Sequence, residues 1–96
     1  MKYRDFLTLH ILHHAGEEPV NGSFLMEELR RHGYRISPGT IYPLLHDLEA
    51  AGLLKSRWEV RGGRKVRVYE ITERGLKALE EGKGKLRELC NELLGE

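Results

Sequence analysis

The side chains best suited to specific recognition lie between residues 37 and 46. They are small, polar or aromatic, and none of them carries a fixed negative charge. These candidates are Ser37, Gly39, Thr40, Tyr42, Pro43 and His46. Apolar residues recur between them at helical spacing, which predicts an amphipathic helix whose outer face holds this set. Because the first turns of such a helix can meet base edges in the major groove of DNA, we predict a DNA-reading helix over about residues 38–51.

A basic segment follows this helix and suits a different contact. Residues 55–67 carry six Lys or Arg side chains against one acid, Glu59. Cations bind the phosphates of a nucleic-acid backbone and supply much of the affinity. The alternative is a solvated strand edge whose charges discourage aggregation. We expect phosphate contacts from Arg61, Arg64, Lys65 and Arg67.

Three histidines raise the question of a metal site. Spacings of three and four residues place His10 beside His13 or His14 on one helical face. Cys90 could join them across a dimer. The sequence has no C-x-x-C motif and no second ligand pair, so we expect exposed histidines on an ordinary helix and no bound metal.

The sequence also offers no nucleophile–base pair, paired carboxylates or phosphate-binding loop, so we expect neither catalysis nor a cofactor.

Three predicted helices position these residues. The first covers about residues 2–15, and the second has Asn21 or Ser23 as its N-cap. The third begins after Ser37 as N-cap and ends where Gly52 can take the left-handed conformation. The second and third helices together predict a helix-turn-helix.

The periodicity then changes from 3.6 to 2, which predicts a hairpin over about residues 54–71. A Gly-Gly centre at residues 62–63 is a strong signal for a two-residue turn. The predicted pairs are Val60–Lys65, Trp58–Arg67, Ser56–Tyr69 and Leu54–Ile71. In this register Trp58 and Arg67 form a cation–π pair on a basic wing.

A long final helix is predicted over about residues 73–94, capped by Thr72. Its apolar positions alternate in steps of three and four, as in the seam of a coiled coil. We expect a dimer formed through Leu76, Leu79, Leu86, Leu89, Cys90 and Leu93. The predicted organisation is thus a DNA-binding part, residues 1–72, and a dimerisation helix, residues 73–96, in one compact unit.

Size and composition agree with this organisation. Ninety-six residues make one domain with a small core, to which a dimer interface would add. Sixteen Lys and Arg nearly balance fifteen Asp and Glu, so the distribution of charge matters more than its sum. The single cysteine excludes an intramolecular disulfide and suits a reducing cytosol. No apolar run approaches the roughly 20 residues that span a bilayer, so we expect a cytoplasmic protein without membrane association.

Together these elements predict a mainly α fold with a small β-hairpin, a winged helix-turn-helix followed by a dimerisation helix. Four motifs within about residues 5–80 are more specific than the fold: G-x-x-x-x-x-E-L at 22–29, S-P-G-T-I-Y-P-L-L-H-D-L-E-A-A-G-L-L at 37–54, G-G-R-K at 62–65 and Y-E-I-T-E-R-G at 69–75. Through these motifs the chain resembles the PadR family of bacterial and archaeal transcriptional regulators. The resemblance implies a homodimeric repressor that binds a palindromic operator. It also implies that Gly39, Thr40, Tyr42 and Pro43 belong to the DNA-reading helix.

The chain departs from the family pattern at two points. Members usually carry an aromatic residue after the glycine that matches Gly22, where this chain has Ser23. Larger members have several C-terminal helices, whereas one helix follows the wing here, as in the short subfamily. Some members bind small aromatic effectors between the reader domain and the dimerisation helix. Trp58 is the candidate contact for such an effector, and its alternative role is to cap the packing of the wing.

We therefore predict a sequence-specific regulator that binds double-stranded DNA as a homodimer, with repression as the expected mode. Tyr42 could also serve packing between the third helix and the wing, since a half-buried tyrosine can do both. The alternative function is a winged-helix protein-interaction module without DNA binding. The near-neutral net charge of +1 is compatible with that alternative.

Overall fold

The computed structural model describes residues 3–95 of the chain. Their order is three helices, a two-stranded antiparallel hairpin and a long helix, so the predicted winged helix-turn-helix is confirmed. The elements are α1 (Tyr3–Glu17), α2 (Gly22–Arg31), α3 (Pro38–Ala50), β1 (Leu54–Arg61), β2 (Arg64–Ile71) and α4 (Glu73–Leu94). The predicted helix start at residue 2 lies outside the described residues. Within 3–95, no helix combines the length and the apolar character needed to cross a membrane.

The connection between α1 and α2 differs slightly from the prediction. Helix α1 continues to Glu17, two residues beyond its predicted end, because the next barrier to helix is Pro19, which disfavours helical backbone in the residue before it. At the start of α2 the side chain of Asn21 accepts a hydrogen bond from the Phe24 N–H at 2.8 Å. Asn21, not Ser23, is therefore the N-cap.

The core lies where the first three helices meet the base of the hairpin. Helix α3 buries the apolar face that its periodicity predicts, and α4 contributes near its first turns. The most buried side chains include Leu7, Ile11, Leu12, Leu25, Leu29, Ile41, Leu44, Leu45, Leu48, Leu54, Val68, Tyr69 and Leu79. Burying one face of α3 leaves its other face turned to solvent.

The two ends of α3 are held in different ways. Ser37 occupies the predicted N-cap position, and its carbonyl accepts the N–H of Thr40 at 3.0 Å. The predicted N-cap is thus confirmed by position, although the Ser37 hydroxyl makes no capping bond to the backbone and lies 3.4 Å from the hydroxyl of Thr40. At the other end Gly52 has φ 79 and donates its N–H to the carbonyl of Glu49 at 2.9 Å, as predicted for a glycine that ends a helix.

The hairpin has the predicted register in every pair from Leu54–Ile71 to Val60–Lys65. Gly62 and Gly63 have φ values of 58 and 76, as a two-residue turn between twisted strands requires. The Arg67 guanidinium lies 5.3 Å from the centre of the Trp58 ring, which confirms the cation–π pair. One contact was not predicted: Val20 exchanges two backbone hydrogen bonds with Tyr69, at 2.9 and 2.7 Å. That bridge fixes the base of the hairpin against the segment before α2.

Helix α4 begins at the junction of the reader helix and the wing. The Thr72 hydroxyl accepts the N–H of Gly75 at 3.0 Å, which confirms the predicted cap. The same hydroxyl donates to the carbonyl of Gly52 at 2.6 Å, just beyond the end of α3. The start of α4 is thus tied to the end of α3, which relates the direction of the long helix to that of the reader helix.

Candidate nucleic-acid interface

The outer face of α3 carries the residues that the sequence singled out. Ser37, Gly39, Thr40, Tyr42, Pro43 and His46 are all exposed. Pro43 stands inside the helix and has no N–H, so the carbonyl of Gly39 lacks its usual helical partner. The structure therefore brings the predicted set together on one uncharged, solvent-facing surface. We call this surface the reading face.

Tyr42 combines a packing role with exposure. A Cβ built on Gly22 would lie 2.4 Å from Cε1 of the Tyr42 ring, so the ring lies directly against the first residue of α2. The side chain is still 45% exposed. Its packing against α2 was not predicted, and on its other side it lines a groove together with residues of the wing, Trp58 and Tyr69 among them. The exposed part of the ring remains available to a ligand on the reading face.

A polar network joins α3 to the wing, and the sequence did not point to it. The Glu49 carboxylate accepts hydrogen bonds from the Ser56 N–H at 3.0 Å and from the Ser56 hydroxyl at 2.7 Å. Arg67 donates to the Ser56 hydroxyl at 2.9 Å and to Glu49 at 3.3 Å. These bonds fix the angle between the reading face and the hairpin. Arg67 is thereby engaged within the chain, while its side chain remains 43% exposed, so its phosphate contact stays a prediction.

The remaining cations of the wing differ in how far they are neutralised. Arg61 lies 3.0 Å from Glu59, and Arg57 lies 2.7 Å from the same carboxylate. Hydrogen bonds from Arg61, and then from Arg57, lower the pKa of Glu59, which stays charged. In the described part of the chain, no ion pair involves Arg64 or Lys65. The unneutralised positive charge of the wing is therefore concentrated at its tip.

One groove connects these parts. It has a volume of 490 Å³ and lies between the start of α2, the Tyr42 ring and the wing. Its lining includes Asn21, Gly22, Tyr42, Arg64 and Lys65. The N-terminus of a helix carries partial positive charge and free N–H groups, so it favours anions such as phosphate. The groove thus combines a helix N-terminus, two unpaired cations and an aromatic hydroxyl beside the reading face.

The negative charge of Asp47, an exposed acid beside the reading face, is neutralised by an ion pair. Asp47 follows His46 on α3, and its carboxylate lies 2.6 Å from the Arg4 guanidinium of α1. This pair offsets a negative charge that would otherwise repel DNA phosphates, and it braces α3 against α1. An exposed pair adds little stability by itself, so its main effect is on the local field.

Comparison with known proteins agrees with this geometry. A family model described as the PadR-like family of transcriptional regulators matches residues 11–81. The chain belongs to this PadR-like family. Membership makes it a transcriptional regulator and implies DNA binding. It also agrees with the resemblance that the motifs of α3 and the wing carry.

Individual relatives support the same assignment. The chain is 54% identical to the transcriptional regulator Rv3488 of Mycobacterium tuberculosis over 92 residues, which is 96% of this chain and 86% of that protein. The solved PadR family regulator of Eggerthella lenta is 34% identical with a TM-score of 0.83, covering 94% of this chain and 80% of that one. The PadR-like regulator of Bacillus cereus is also 34% identical, with a TM-score of 0.80 and coverage of 97% and 95%. These relatives are named as regulators, which is a non-enzymatic role.

The predicted dimerisation residues of this PadR-like regulator fall into two groups. Leu79 is only 6% exposed and belongs to the chain's own core, so it is not available to a partner and its assignment is corrected. Leu76, Leu86 and Leu93 are 45%, 37% and 71% exposed, and Cys90 is exposed as well. Leu89 is partly buried in an apolar groove of 360 Å³ between α1 and α4. The predicted seam therefore keeps exposed apolar side chains at Leu76, near the start of α4, and at Leu86 and Leu93 in its later turns.

Trp58 does not occupy the position predicted for an effector contact. Its side chain is 61% exposed and lines the 490 Å³ groove on the wing, beside Arg67. The apolar groove of this regulator lies instead between α1 and α4, where Phe6 and Leu86 are among its lining residues. Trp58 does not line this groove, so the effector pocket predicted between the reader domain and α4 does not include it.

The histidines of α1 are not all on an exposed face. His13 is exposed, but the His14 side chain is only 13% exposed, because α1 packs against α2 at this level. His10 is partly buried and lies near His32, with 5.1 Å between the ring centres. The expectation of three solvent-facing histidines is therefore wrong for His14. Cys90, on α4, does not belong to this group within the described residues.

Proposed function

We propose that the protein is a sequence-specific repressor that binds palindromic double-stranded DNA as a homodimer. The observation that carries the proposal is the groove in which the start of α2 and the cations of the wing tip meet Tyr42, directly beside an uncharged reading face. A surface of this composition matches both parts of a DNA duplex, the phosphate backbone and the base edges.

Within this proposal the elements have distinct tasks. The reading face of α3 enters the major groove, where Thr40 and the exposed edge of Tyr42 discriminate bases. Arg64, Lys65 and the N-terminus of α2 bind phosphates and set the register on the duplex. Glu49 and Ser56 hold the wing at the angle at which both contacts can be made together.

The homodimer is proposed from α4 and from the family. PadR regulators are usually dimeric. The later turns of α4 expose Leu86 and Leu93 at 37% and 71%, along with Cys90. Exposed apolar side chains aligned on one helix are suited to pairing with a second copy of that helix. A two-fold dimer would present two reading faces to half-sites about 34 Å apart, one turn of DNA, which is why a palindromic operator is proposed.

Repression is proposed from the family resemblance and from this mode of binding. A dimer that covers two successive major grooves within a promoter excludes polymerase from the same site. Selection of bound fragments from the source genome, followed by transcription in vitro from the selected promoter, tests this step. We expect transcript levels to fall as protein is added, and unchanged or increased transcription would contradict a repressor.

DNA binding itself is tested by titrating salt against a duplex containing the selected operator. Each neutralised phosphate contributes about 0.9 to the slope of log affinity against log salt, so binding should weaken steeply between low and moderate salt. Thr40→Val should change the preferred base sequence more than the affinity for random duplex. Absent binding, or a flat salt dependence, would favour the alternative of a protein-interaction module.

A further inference from the structure

A cluster of three histidines lies away from the DNA-reading surface. His10 and His14 stand one helical turn apart on α1, and His32 is the C-cap residue of α2. One ring nitrogen from each of the three lies within 4.8 Å of the others. The fold brings these rings together from positions up to 22 residues apart, so local spacing cannot reveal the group. We call these three residues the histidine cluster.

The cluster contains a polar atom that the protein does not satisfy. Nε2 of His14 is buried and has no hydrogen-bond partner, whereas most buried polar atoms have one. Nδ1 of the same ring lies 3.5 Å from a carboxylate oxygen of Glu17. A carboxylate on this side favours the tautomer in which Nδ1 carries the proton and Nε2 keeps its lone pair. Carboxylates orient metal-binding histidines in this way.

Aromatic packing orients the rings of the cluster. The His10 ring packs edge-on against Tyr34, with 5.1 Å between the ring centres, and lies at the same distance from the ring of His32. The neutral form of imidazole is the one that coordinates metals.

We propose that His10, His14 and His32 form a binding site for a divalent transition metal of the Zn²⁺ type, a role beyond the DNA binding proposed above. Three imidazole nitrogens with one position left to water are a known ligand set for zinc. Zinc–nitrogen distances of about 2.0–2.1 Å place tetrahedral ligand atoms about 3.3 Å apart. Modest rotations of the rings would bring the three nitrogens to that spacing. A bound ion would join α1 to the end of α2, just before the turn into α3.

A second group offers a competing site on the same helix. His13, His14 and Glu17 also place one ligand atom each within 4.8 Å of the others. Two of its members are exposed, and the Glu17 carboxylate lies 3.5 Å from Nε2 of His13 and from Nδ1 of His14. Because Glu17 faces Nδ1 of His14, the unsatisfied Nε2 atom of the same ring is left for the histidine cluster. Because His14 belongs to both groups, His32 and His13 are the residues that distinguish them.

The test is a titration of the full chain with Co²⁺, followed by visible absorption, and with Zn²⁺, followed by calorimetry. The protein is prepared without a polyhistidine tag and with Cys90→Ser, because a thiolate would bind both ions. His32 is exposed, so His32→Ala should fold normally, and circular dichroism checks this. His13→Ala removes a member of the competing group, and His46→Ala is the matched control on a different helix.

We expect one saturating site, with the absorption of tetrahedrally coordinated Co²⁺. His32→Ala should weaken binding by more than about 100-fold, since loss of an outer-sphere partner alone costs about 10- to 100-fold. His13→Ala and His46→Ala should bind as the parent protein does. Loss of binding in His13→Ala with retention in His32→Ala would assign the ion to the exposed group and overturn the proposal. Absence of saturable Co²⁺ and Zn²⁺ binding by the parent protein would overturn it equally, whatever its affinity for DNA.

Discussion

The Tyr42 ring of the reader helix lies against the Cα of Gly22, so closely that a Cβ there would come within 2.4 Å of the ring. Gly22 has ordinary helical backbone as the first residue of α2, a conformation that alanine adopts readily. Glycine is therefore required at this position because the Tyr42 ring leaves no room for a Cβ, and not because the backbone adopts a conformation that only glycine favours. This contact places the start of α2, a phosphate-binding element in our proposal, at a fixed distance from the reading face.

Replacing Gly22 with alanine should disturb this contact specifically. Since the added methyl group overlaps the ring, we expect Gly22→Ala to cost about 1–3 kcal/mol of stability unless Tyr42 swings outward. An outward ring would in turn weaken operator binding. Urea unfolding and a DNA-binding titration measure the two effects.

The control for that prediction is the double variant that combines Gly22→Ala with Tyr42→Ala. In a Tyr42→Ala background the methyl group meets no ring, so Gly22→Ala should then change the free energy of unfolding by less than about 0.5 kcal/mol. An equal cost in both backgrounds would show that the glycine is needed for some other reason.

The link between α3 and the wing should matter more for DNA binding than for folding. Glu49→Gln keeps an acceptor for Ser56 but removes the charge that holds Arg67. Bonds to charged groups contribute about 1.5–3 kcal/mol, and partial exposure of Glu49 lowers the expected loss to about 1 kcal/mol. Because the wing would then lose its fixed angle, operator affinity should fall by more than this loss of stability explains.

Glu80→Gln is the matched control, because Glu80 forms an exposed ion pair with Lys83 at 3.3 Å on α4. We expect it to change stability by less than about 0.5 kcal/mol and to leave operator affinity unchanged. Equal losses of affinity in the two variants would mean that the Glu49 network does not position the wing.

The sequence predicted the fold well because its signals are local. Helix caps, the Gly62-Gly63 turn and the 3.6-residue period of α3 each act within a few residues, and the hairpin register follows from its turn. The reading face followed for the same reason. A helix with one buried face must expose the other.

What the sequence did not predict depends on contacts between distant residues. The contact of Gly22 with Tyr42, the bonds of Glu49 to the wing and the approach of His32 to α1 all join separate elements. Leu79 was assigned to dimerisation for a related reason. The alternating spacing of the apolar residues along α4 does not reveal which of them pack into the core of the same chain.

The cations at the wing tip should contribute affinity without sequence preference. Arg64→Gln combined with Lys65→Gln removes the two wing cations without an ion pair in the described residues. If each binds one phosphate, the slope of log affinity against log salt should become shallower by about 1.8. Affinity should fall alike for operator and for random duplex, because phosphate contacts do not read bases.

The control for this prediction changes the same charges elsewhere. Lys77 and Arg87 are exposed on α4, and Lys77→Gln with Arg87→Gln gives the same net charge. We expect the salt slope of that variant to match the parent protein. A similar reduction in both double variants would attribute the effect to net charge and not to contacts at the wing tip.

Dimerisation through α4 should be required for tight operator binding. Leu86 and Leu93 are 37% and 71% exposed, so burying the remaining surface in a dimer would contribute about 0.5–1 kcal/mol for each Leu86 and about 1–2 kcal/mol for each Leu93. Replacing both with glutamate should therefore weaken self-association by more than about 100-fold, as measured by sedimentation equilibrium. Since Thr72 ties the start of α4 to the turn after α3, loss of the dimer also removes the fixed spacing of two reading faces.

Leu94→Glu is the control for this prediction, because Leu94 is 65% exposed but lies outside the predicted seam. Tight operator binding by a demonstrated monomer would show that one reading face suffices and that the palindromic arrangement is wrong.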